Sequence, residues 1–137
     1  MRRSQRMALQ PEVAVDAFRG AGRFHCYISI DKRCEGEAKL AAMAAFTGSE
    51  LLKHVVVVDA DIDVYDEEEV LWAVATRVDA AADISIIDRV KGSRLDPAHP
   101  GKDWGSKLII DACRNEDIEF PDRIAAAEYR PGTRDSK

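Results

Sequence analysis

The chain lacks the cysteine pattern of a disulfide-stabilised or zinc-binding protein. Only three cysteines occur in 137 residues, Cys26, Cys34 and Cys113, and no two of them have C-x-x-C spacing. The odd number favours free thiols in a reducing compartment, and therefore a cytoplasmic protein. No apolar stretch approaches the roughly 20 residues that a membrane-spanning helix needs. A secretory signal is not expected either, because Glu12 and Asp16 interrupt the segment that would have to be apolar.

Positive charge is also scarce, and the phosphate-binding fingerprints are missing. Twenty lysines and arginines stand against 25 aspartates and glutamates, a net charge of -5. This argues against nucleic acid as the main partner, because phosphate contacts favour a basic surface. Gly20 and Gly22 precede a predicted strand, whereas the glycines of a dinucleotide fingerprint follow a strand and open a helix. No Walker loop is present.

What the chain does have is an alternation of predicted strands and helices. Residues 24–30 alternate apolar and polar side chains, which is typical of a strand with one buried face. Residues 55–58 are a β-branched run, which is typical of a strand buried on both faces. Further strands are predicted over 84–87 and 107–110, and helices over 35–47, 66–78 and 122–129. This order predicts an α/β fold: a single layered domain with a mixed, largely parallel sheet of about four strands, flanked by helices.

Two of the predicted helices carry packing and capping patterns. The helix over 35–47 has an alanine stripe that permits close packing on a sheet. Asp66 and Glu69 make an aspartate version of the capping box at the start of the next helix. The apolar residues that follow have the spacing of a core-facing stripe: Leu71, Val74, Ala75 and Val78.

The two ends of the chain are predicted to lie outside the layered domain. Residues 1–22 are expected to form an N-terminal arm with a short helix that begins at Pro11, since proline suits the first helical turn. Residues 23–129 form the α/β domain in this division, and residues 130–137 form a solvated tail.

The acidic turn after the second strand invites comparison with a metal site. Asp59, Asp61 and Asp63 have the D-x-D-x-D spacing of a calcium loop, but Val64 and Val70 occupy the positions where that loop needs glycine and glutamate. We therefore predict a structural role, in which these carboxylates cap backbone N–H groups or pair with arginines. The three histidines are scattered and show no metal-ligand spacing.

The longest predicted loop, residues 89–107, is the strongest local candidate for a functional segment. It carries several basic side chains and is rich in glycine and proline. Loops of this length inside a compact domain are usually functional or disordered. A binding loop and a solvated, mobile loop are both compatible with the sequence.

Seven short motifs follow one another along residues 24–112. The first five are F-H with S-I over residues 24–30, G-E-A-K at 36–39, K-H-V at 53–55, the acidic turn at 59–66 and L-W-A-V-A-T-R at 71–77. V-K-G-S-R-L-D-P at 90–97 and a closing G-S-K with I-D-A at 105–112 follow. In this order the motifs resemble the C-terminal domain of the UbiD family of decarboxylases (polyprenyl-hydroxybenzoate carboxy-lyase and its relatives), with Cys113 in place of the family's threonine.

This resemblance implies reversible, non-oxidative decarboxylation of aromatic or α,β-unsaturated acids with prenylated FMN and a divalent metal. In the family the catalytic, metal and most flavin contacts precede this domain, so no catalytic residue and no metal ligand is expected in this chain. By similarity, Lys53 is a candidate contact for the flavin phosphate, and Arg94 and Leu95 are candidate walls of the substrate pocket. In purely physical terms, Lys53 could equally be an exposed charge at a strand end.

Three hypotheses follow from the resemblance. The first is the small subunit of a split decarboxylase, inactive alone, which closes the active site and assembles with a separately encoded flavin-binding catalytic subunit and into further oligomers. The second is a non-catalytic binding or assembly module. The third is a truncated fragment of a UbiD-like protein. Well-formed strand and cap patterns and the complete closing motif favour the first over the third.

Overall fold

The core of the protein is a mixed sheet with a central parallel segment. The computed structural model describes residues 12–15 and 24–115. Its strands are β1 (Glu12–Val15), β2 (His25–Ile30), β3 (His54–Asp59), β4 (Ile84–Lys91) and β5 (Trp104–Ala112), in the spatial order β1-β2-β3-β5-β4. β2, β3 and β5 run parallel, and the edge strands β1 and β4 are antiparallel to their neighbours. The predicted α/β fold with a mixed sheet is confirmed, with one strand more than the four expected.

One long helix covers each face of this sheet. The helices are α1 (Glu37–Gly48), α2 (Glu67–Arg77) and the short α3 (Ala80–Asp83). On the first face, Ala38, Ala42 and Phe46 of α1 pack in one buried cluster with Val55 and Val57. On the second face, residues of α2 pack in a separate cluster with Val56 and Val58. The predicted alanine stripe and the predicted burial of residues 55–58, now part of β3, on both faces are therefore confirmed.

Burial of β2 goes further than its alternating sequence indicates. Tyr27 and Ser29 are buried as well as Cys26 and Ile28, because elements pack on both faces of this strand. The expectation of a single buried face was therefore wrong. Cys26 and Cys113 are buried free thiols and Cys34 is an exposed one. Within the described residues, no helix is both long and apolar enough to cross a bilayer.

The short helix expected from Pro11 was wrong where the structure describes that segment. Residues Glu12–Val15 form strand β1, which pairs antiparallel with β2 from Glu12 opposite Ser29 to Val15 opposite Cys26. The E-V-A-V sequence carries β-branched residues, and an open strand edge supplies backbone partners that outweigh a weak helical preference. The rest of the N-terminal arm, the helix predicted over 122–129 and the predicted tail lie outside the described residues.

The core-facing stripe of α2 is shifted from the predicted one. Val70, Ala73 and Arg77 are buried, whereas Leu71 is 55% exposed. The pattern misled because a charged residue, Arg77, occupies an inward position. At the start of the helix, the Asp66 side chain accepts the Glu68 N–H as predicted for a cap, but Glu69 accepts the Asp63 N–H instead of closing the box.

The loop between the last two strands is shorter than the predicted 89–107. β4 continues to Lys91 and β5 begins at Trp104, so the loop comprises residues 92–103. β4 contains an irregularity between Ile87 and Val90, where Arg89 has a positive φ of 58°. The Gly92 N–H donates to the Asp103 carbonyl at 2.7 Å and closes the base of the loop.

Candidate functional site

The sequence-predicted Lys53 lies at the amino-terminal edge of the parallel strands. Its N–H donates to the Phe24 carbonyl at 2.8 Å, and its carbonyl accepts the Leu108 N–H at 2.7 Å. Lys53 is therefore held between β2 and β5 immediately before β3 begins. Because side chains alternate along a strand, Lys53 shares the α1 face of the sheet with Val55 and Val57.

The Lys53 side chain reaches a buried carboxylate in the 92–103 loop. Its Nζ lies 3.1 Å from Oδ1 and 3.0 Å from Oδ2 of Asp96, whose residue surface is only 2% exposed. The Ala98 N–H donates to the same carboxylate at 2.9 Å, and His99 Nε2 lies 3.1 Å from Oδ2. Burial alone would raise the pKa of Asp96, but the Ala98 N–H, Lys53 and His99 outweigh burial and lower it. Asp96 is therefore the ionised centre of this edge.

A second lysine makes this edge electropositive. Lys107 is buried, and its Nζ donates to the carbonyls of Glu50, at 3.0 Å, and Leu52. Burial lowers the pKa of Lys107. The Glu50 carboxylate turns outward and pairs with Lys91 at 2.7 Å. Two ammonium groups thus accompany a single buried carboxylate, an arrangement that favours an anionic ligand.

Two glycines give the loop room to pack on this edge. A Cβ added to Gly105 would lie 2.5 Å from Cδ2 of His99, and one added to Gly92 would lie 3.3 Å from Nε2 of His99. The His99 ring therefore occupies the space that the side chain of any larger residue at position 92 or 105 would need. Its Nδ1 is buried and has no hydrogen-bond partner among the described residues.

The two predicted pocket residues lie on the outer side of the same loop. Leu95 is 82% exposed, and Arg94 pairs across the loop with Asp103, Nε to Oδ1, at 2.9 Å. The structure thus connects Lys53 to the loop of Arg94 and Leu95, and Asp96 makes the connection. Sequence reasoning missed Asp96 and His99; the one available signal was the L-D-P segment, which does not by itself indicate a buried charge.

A pair of histidines on the opposite face was also missed. His25 and His54 are register partners on β2 and β3, and their Nδ1 atoms lie 3.0 Å apart. Burial, then His25 and then Lys53, lower the pKa of His54. The pair borders a hollow of about 190 Å³ that is otherwise apolar and is lined by Tyr27, Val56, Leu108 and Ile110. Strand pairing brings together residues that looked scattered in the sequence.

Comparison with known families decides the membership of the chain. The family model described as "3-octaprenyl-4-hydroxybenzoate carboxy-lyase C-terminal domain" matches residues 7–112. The chain belongs to the UbiD family. Its curated UbiD-type relatives include anhydromevalonate phosphate decarboxylases from Aeropyrum pernix, 52% identical over 77 residues, and from Methanosarcina mazei, 45% identical over 95 residues.

These relatives are much longer than the chain. The match covers 56% of this chain and 18% of the Aeropyrum pernix protein, and 69% of this chain and 22% of the Methanosarcina mazei protein. The chain therefore spans about a fifth of the length of these curated relatives.

Solved UbiD-class structures contain the same fold. HmfF from Pelotomaculum thermopropionicum, in complex with FMN, matches 98% of this chain and 29% of its own at 39% identity, with a TM-score of 0.77. The vanillic acid decarboxylase ShVdcCD from Sedimentibacter hydroxybenzoicus, in open form, matches 96% of this chain and 29% of its own at 28% identity, with a TM-score of 0.72.

The acidic turn has a structural explanation in this UbiD-family chain. Arg77, the last residue of the L-W-A-V-A-T-R motif, pairs with Asp59 at 2.8 Å and Asp61 at 3.0 Å. Asp63 accepts the Tyr65 N–H at 2.9 Å. The predicted arginine pairing and backbone capping are therefore confirmed. Within residues 24–115, no group of three or more His, Cys, Asp and Glu side chains is placed to hold a metal ion.

Proposed function

We propose that this chain is the small, C-terminal-domain subunit of a UbiD-type decarboxylase that acts on an aromatic or α,β-unsaturated carboxylic acid. It closes the active site of a separately encoded flavin-binding chain and joins it in a hetero-oligomer. The observation that carries the proposal is the electropositive edge at Lys53, to which Asp96 ties the loop of Arg94 and Leu95. Membership of the UbiD family supports it.

The residues at this edge fit the phosphate of prenylated FMN. A lysine ammonium has three donors and serves as a point charge toward phosphate. The Lys53 side chain is partly exposed, and Lys107 adds a second positive charge beside it. When bound, the flavin supplies the decarboxylation chemistry, while Lys53 neutralises its phosphate. The other chain holds the rest of the flavin and the divalent metal.

The exposed loop residues suit a pocket wall that forms on assembly. Leu95 offers an apolar side chain that is 82% exposed in this chain, and Arg94 lies next to it. A loop that closes over a site excludes water and completes the binding pocket. In this proposal Leu95 contacts the substrate and Arg94 borders it, while the chain itself contributes no catalytic group. We propose that the complex lies in the cytoplasm, because the odd number of cysteines favours free thiols in a reducing compartment.

A second candidate function is a non-catalytic assembly module, which a truncated UbiD-like fragment would also resemble. Leu40 and Met43 of α1 are 68% and 45% exposed, and they lie on the side of the helix that faces away from the sheet. Exposed large apolar side chains on one helix face suit a protein partner. A module of this kind would assemble without affecting flavin binding.

Co-expression with a flavin-binding UbiD-type chain tests the choice between these functions. We expect Lys53→Ala to lower flavin retention and decarboxylation by the complex and to leave assembly intact. The melting temperature should fall as well, because the buried Asp96 carboxylate loses its partner. Lys91→Ala is the matched control, because it removes an exposed positive charge from the same edge without touching Asp96. Full flavin content and full rate in the Lys53→Ala complex would favour the assembly module instead.

The pocket-wall assignment has its own test in the same complex. Leu95→Ala and Leu95→Phe change the volume of an exposed side chain that makes little contribution to the core. We expect these variants to shift the relative kcat/KM among carboxylic acids of different size while flavin content stays constant. Unchanged preference in both variants would exclude Leu95 from the pocket.

A further inference from the structure

We propose that Asp96 is a positioning residue that joins Lys53 and the 92–103 loop into one unit, so that the phosphate contact and the pocket wall are placed together. The proposal rests on the proposed function for the identity of the ligand at Lys53. The connection itself rests on the contacts of Asp96, a residue that none of the sequence motifs assigned to a site.

The carboxylate of Asp96 is buried and depends on Lys53. Its Oδ1 accepts a hydrogen bond from Lys53 at 3.1 Å, and its Oδ2 lies 3.0 Å from the same ammonium as an ion-pair contact without hydrogen-bond geometry. The residue is only 2% exposed. Removing one partner of a buried ion pair leaves a charge without compensation, which is strongly unfavourable. The ion pair with Lys53 therefore stabilises Asp96 in its buried position, and Asp96 in turn fixes the position of the Lys53 ammonium.

The turn that presents Leu95 is built around the same residue. The Asp96 N–H donates to the Ser93 carbonyl at 3.1 Å, and the His99 N–H donates to the Asp96 carbonyl at 3.3 Å. The Asp96 side chain also accepts the Ala98 N–H. Asp96 thus points inward as an anchor while its neighbour Leu95 points outward. A displacement of the anchor would displace the proposed pocket wall with it.

Electrostatics at this edge explain why a carboxylate is needed to position Lys53. Lys107 lies close enough for Lys53 to disfavour its charged form, so the two ammonium groups repel one another. Asp96 attracts both of them, since its charge favours the charged form of Lys107 and bonds Lys53 directly. Without that charge, Lys53 is expected to swing toward solvent and lose its fixed position. A neutral residue at position 96 should therefore weaken phosphate recognition, not strengthen it.

Hydrogen exchange of the chain alone tests the connection without any assumption about flavin. Asp96→Asn removes the charge but keeps the shape, and Lys53→Met removes the partner but keeps the aliphatic stem. We expect each variant to raise the exchange rate of the Asp96, Ala98 and His99 amides by about tenfold, the factor that corresponds to the loss of one charge-assisted hydrogen bond. The double variant should exchange no faster than either single one, because both remove the same contact.

A matched control comes from the other acidic residue of the loop. Asp103→Asn removes a carboxylate that pairs with Arg94 and has no contact with Lys53. Its effect on exchange at residues 96–99 is expected to stay below about twofold. Asp96→Asn and Lys53→Met variants with unchanged loop exchange, or with effects that add in the double variant, would overturn the proposal. Should Lys53→Met fail to fold because the buried Asp96 carboxylate loses its partner, Asp96→Asn still decides it, since it removes the buried charge and leaves only the partly exposed Lys53.

The complex with the flavin-binding chain separates this proposal from the proposed function. The measured quantity is the preference for FMN over riboflavin, as the ratio of the two dissociation constants, which isolates the phosphate. We expect Lys53→Ala and Asp96→Asn each to reduce this preference by about tenfold. A reduced preference in Lys53→Ala alone would overturn the role of Asp96. An unchanged preference in Lys53→Ala would instead refute the phosphate contact of the proposed function, and with it the positioning of Lys53 for phosphate.

Discussion

Within the part of the chain that the structure describes, the charged residues with the least exposed residue surface are Arg77, Asp96 and Lys107. Each has partners that compensate for the loss of water: Arg77 has Asp59 and Asp61, Asp96 has Lys53, and Lys107 has two backbone carbonyls. Buried charges persist in proteins when they are paired or hydrogen-bonded. At the residue scale, the two ends of the parallel strands are therefore held by different charged groups, Arg77 at the carboxyl ends and Asp96 with Lys107 at the amino ends.

Gly105 is expected to be intolerant of even one methyl group. Gly105→Ala would place a Cβ 2.5 Å from the His99 ring, so His99 and the loop must shift. We expect a loss of about 1–3 kcal/mol in the free energy of unfolding, which is typical of an overpacked site. Urea unfolding measures it. Gly48→Ala is the control, because no atom lies within 4 Å of its added Cβ; equal losses in the two variants would contradict this packing.

His54 should make stability depend on pH. The pKa of His54 is lowered in the folded chain, mainly by burial. In the unfolded chain His54 has the ordinary histidine pKa of about 6.5, so as the pH falls below that value the unfolded chain binds more protons than the folded chain. The contribution of His54 is therefore fully present above about pH 6.5 and is lost as pH falls through the folded pKa. We expect the urea midpoint to fall from pH 7.5 to 5.5, and to fall less in His54→Gln. An identical pH dependence in the variant would exclude His54 as the source.

At the scale of elements, α2 is oriented by its charged end. The helix begins at a side-chain cap on Asp66 and ends at Arg77, which the acidic turn after β3 draws inward. Since residues three and four apart share a helix face, an inward Arg77 places Ala73 and Val70 against the sheet and turns Leu71 outward. The turn and the helix therefore form one unit in which an ion pair selects the buried face.

Two adjacent alanine substitutions test this orientation of α2. Val70→Ala removes fully buried methyl groups, and we expect a loss of about 2 kcal/mol in the free energy of unfolding. Leu71→Ala removes a larger side chain that is 55% exposed, and its loss should stay below about 0.5 kcal/mol. Thermal or urea unfolding of the two variants gives the comparison. A larger loss for Leu71→Ala than for Val70→Ala would show that Leu71 faces the core, as the periodicity predicted.

At the scale of the whole molecule, the site lies on the edge of a three-layer domain. Lys53 and the 92–103 loop occupy the amino-terminal edge of the parallel strands, and the helices cover the two faces without closing that edge. In two curated relatives of the UbiD family, the part that matches this chain makes up 18% and 22% of the protein. The open edge is where the proposed contact with a flavin-binding chain would form.

The isolated chain is expected to fold and yet neither bind flavin tightly nor decarboxylate. Its described residues supply one proposed phosphate contact and no group of residues placed to hold a metal. The measurement is turnover and flavin fluorescence after incubation of the purified chain with prenylated FMN and a divalent metal. Addition of a flavin-binding UbiD-type chain should restore both. Turnover by the chain alone would show that the site is complete without a partner.

The sequence by itself determined the layered α/β fold and the family. The continuous valine run predicted a strand buried on both faces, and the alanine stripe predicted a helix packed along one face. Both patterns can be read locally, because they reflect which faces of an element are buried. The family was recognised from short motifs that occur in the same order as in the UbiD C-terminal domain, and the family model confirms it. The spacing of the acidic turn excluded a calcium loop and predicted a structural role, either backbone capping or arginine pairing, and the structure contains both.

Only the tertiary structure decided which side chains meet. Asp96 lies 43 positions from Lys53, and His54 lies 29 positions from His25, separations at which spacing carries no information. The strand β1 arose because an open edge of β2 offered backbone partners, and the face of α2 was chosen by the burial of Arg77. In each case the deciding energy is a contact between distant segments, which exists only after the sheet has aligned them.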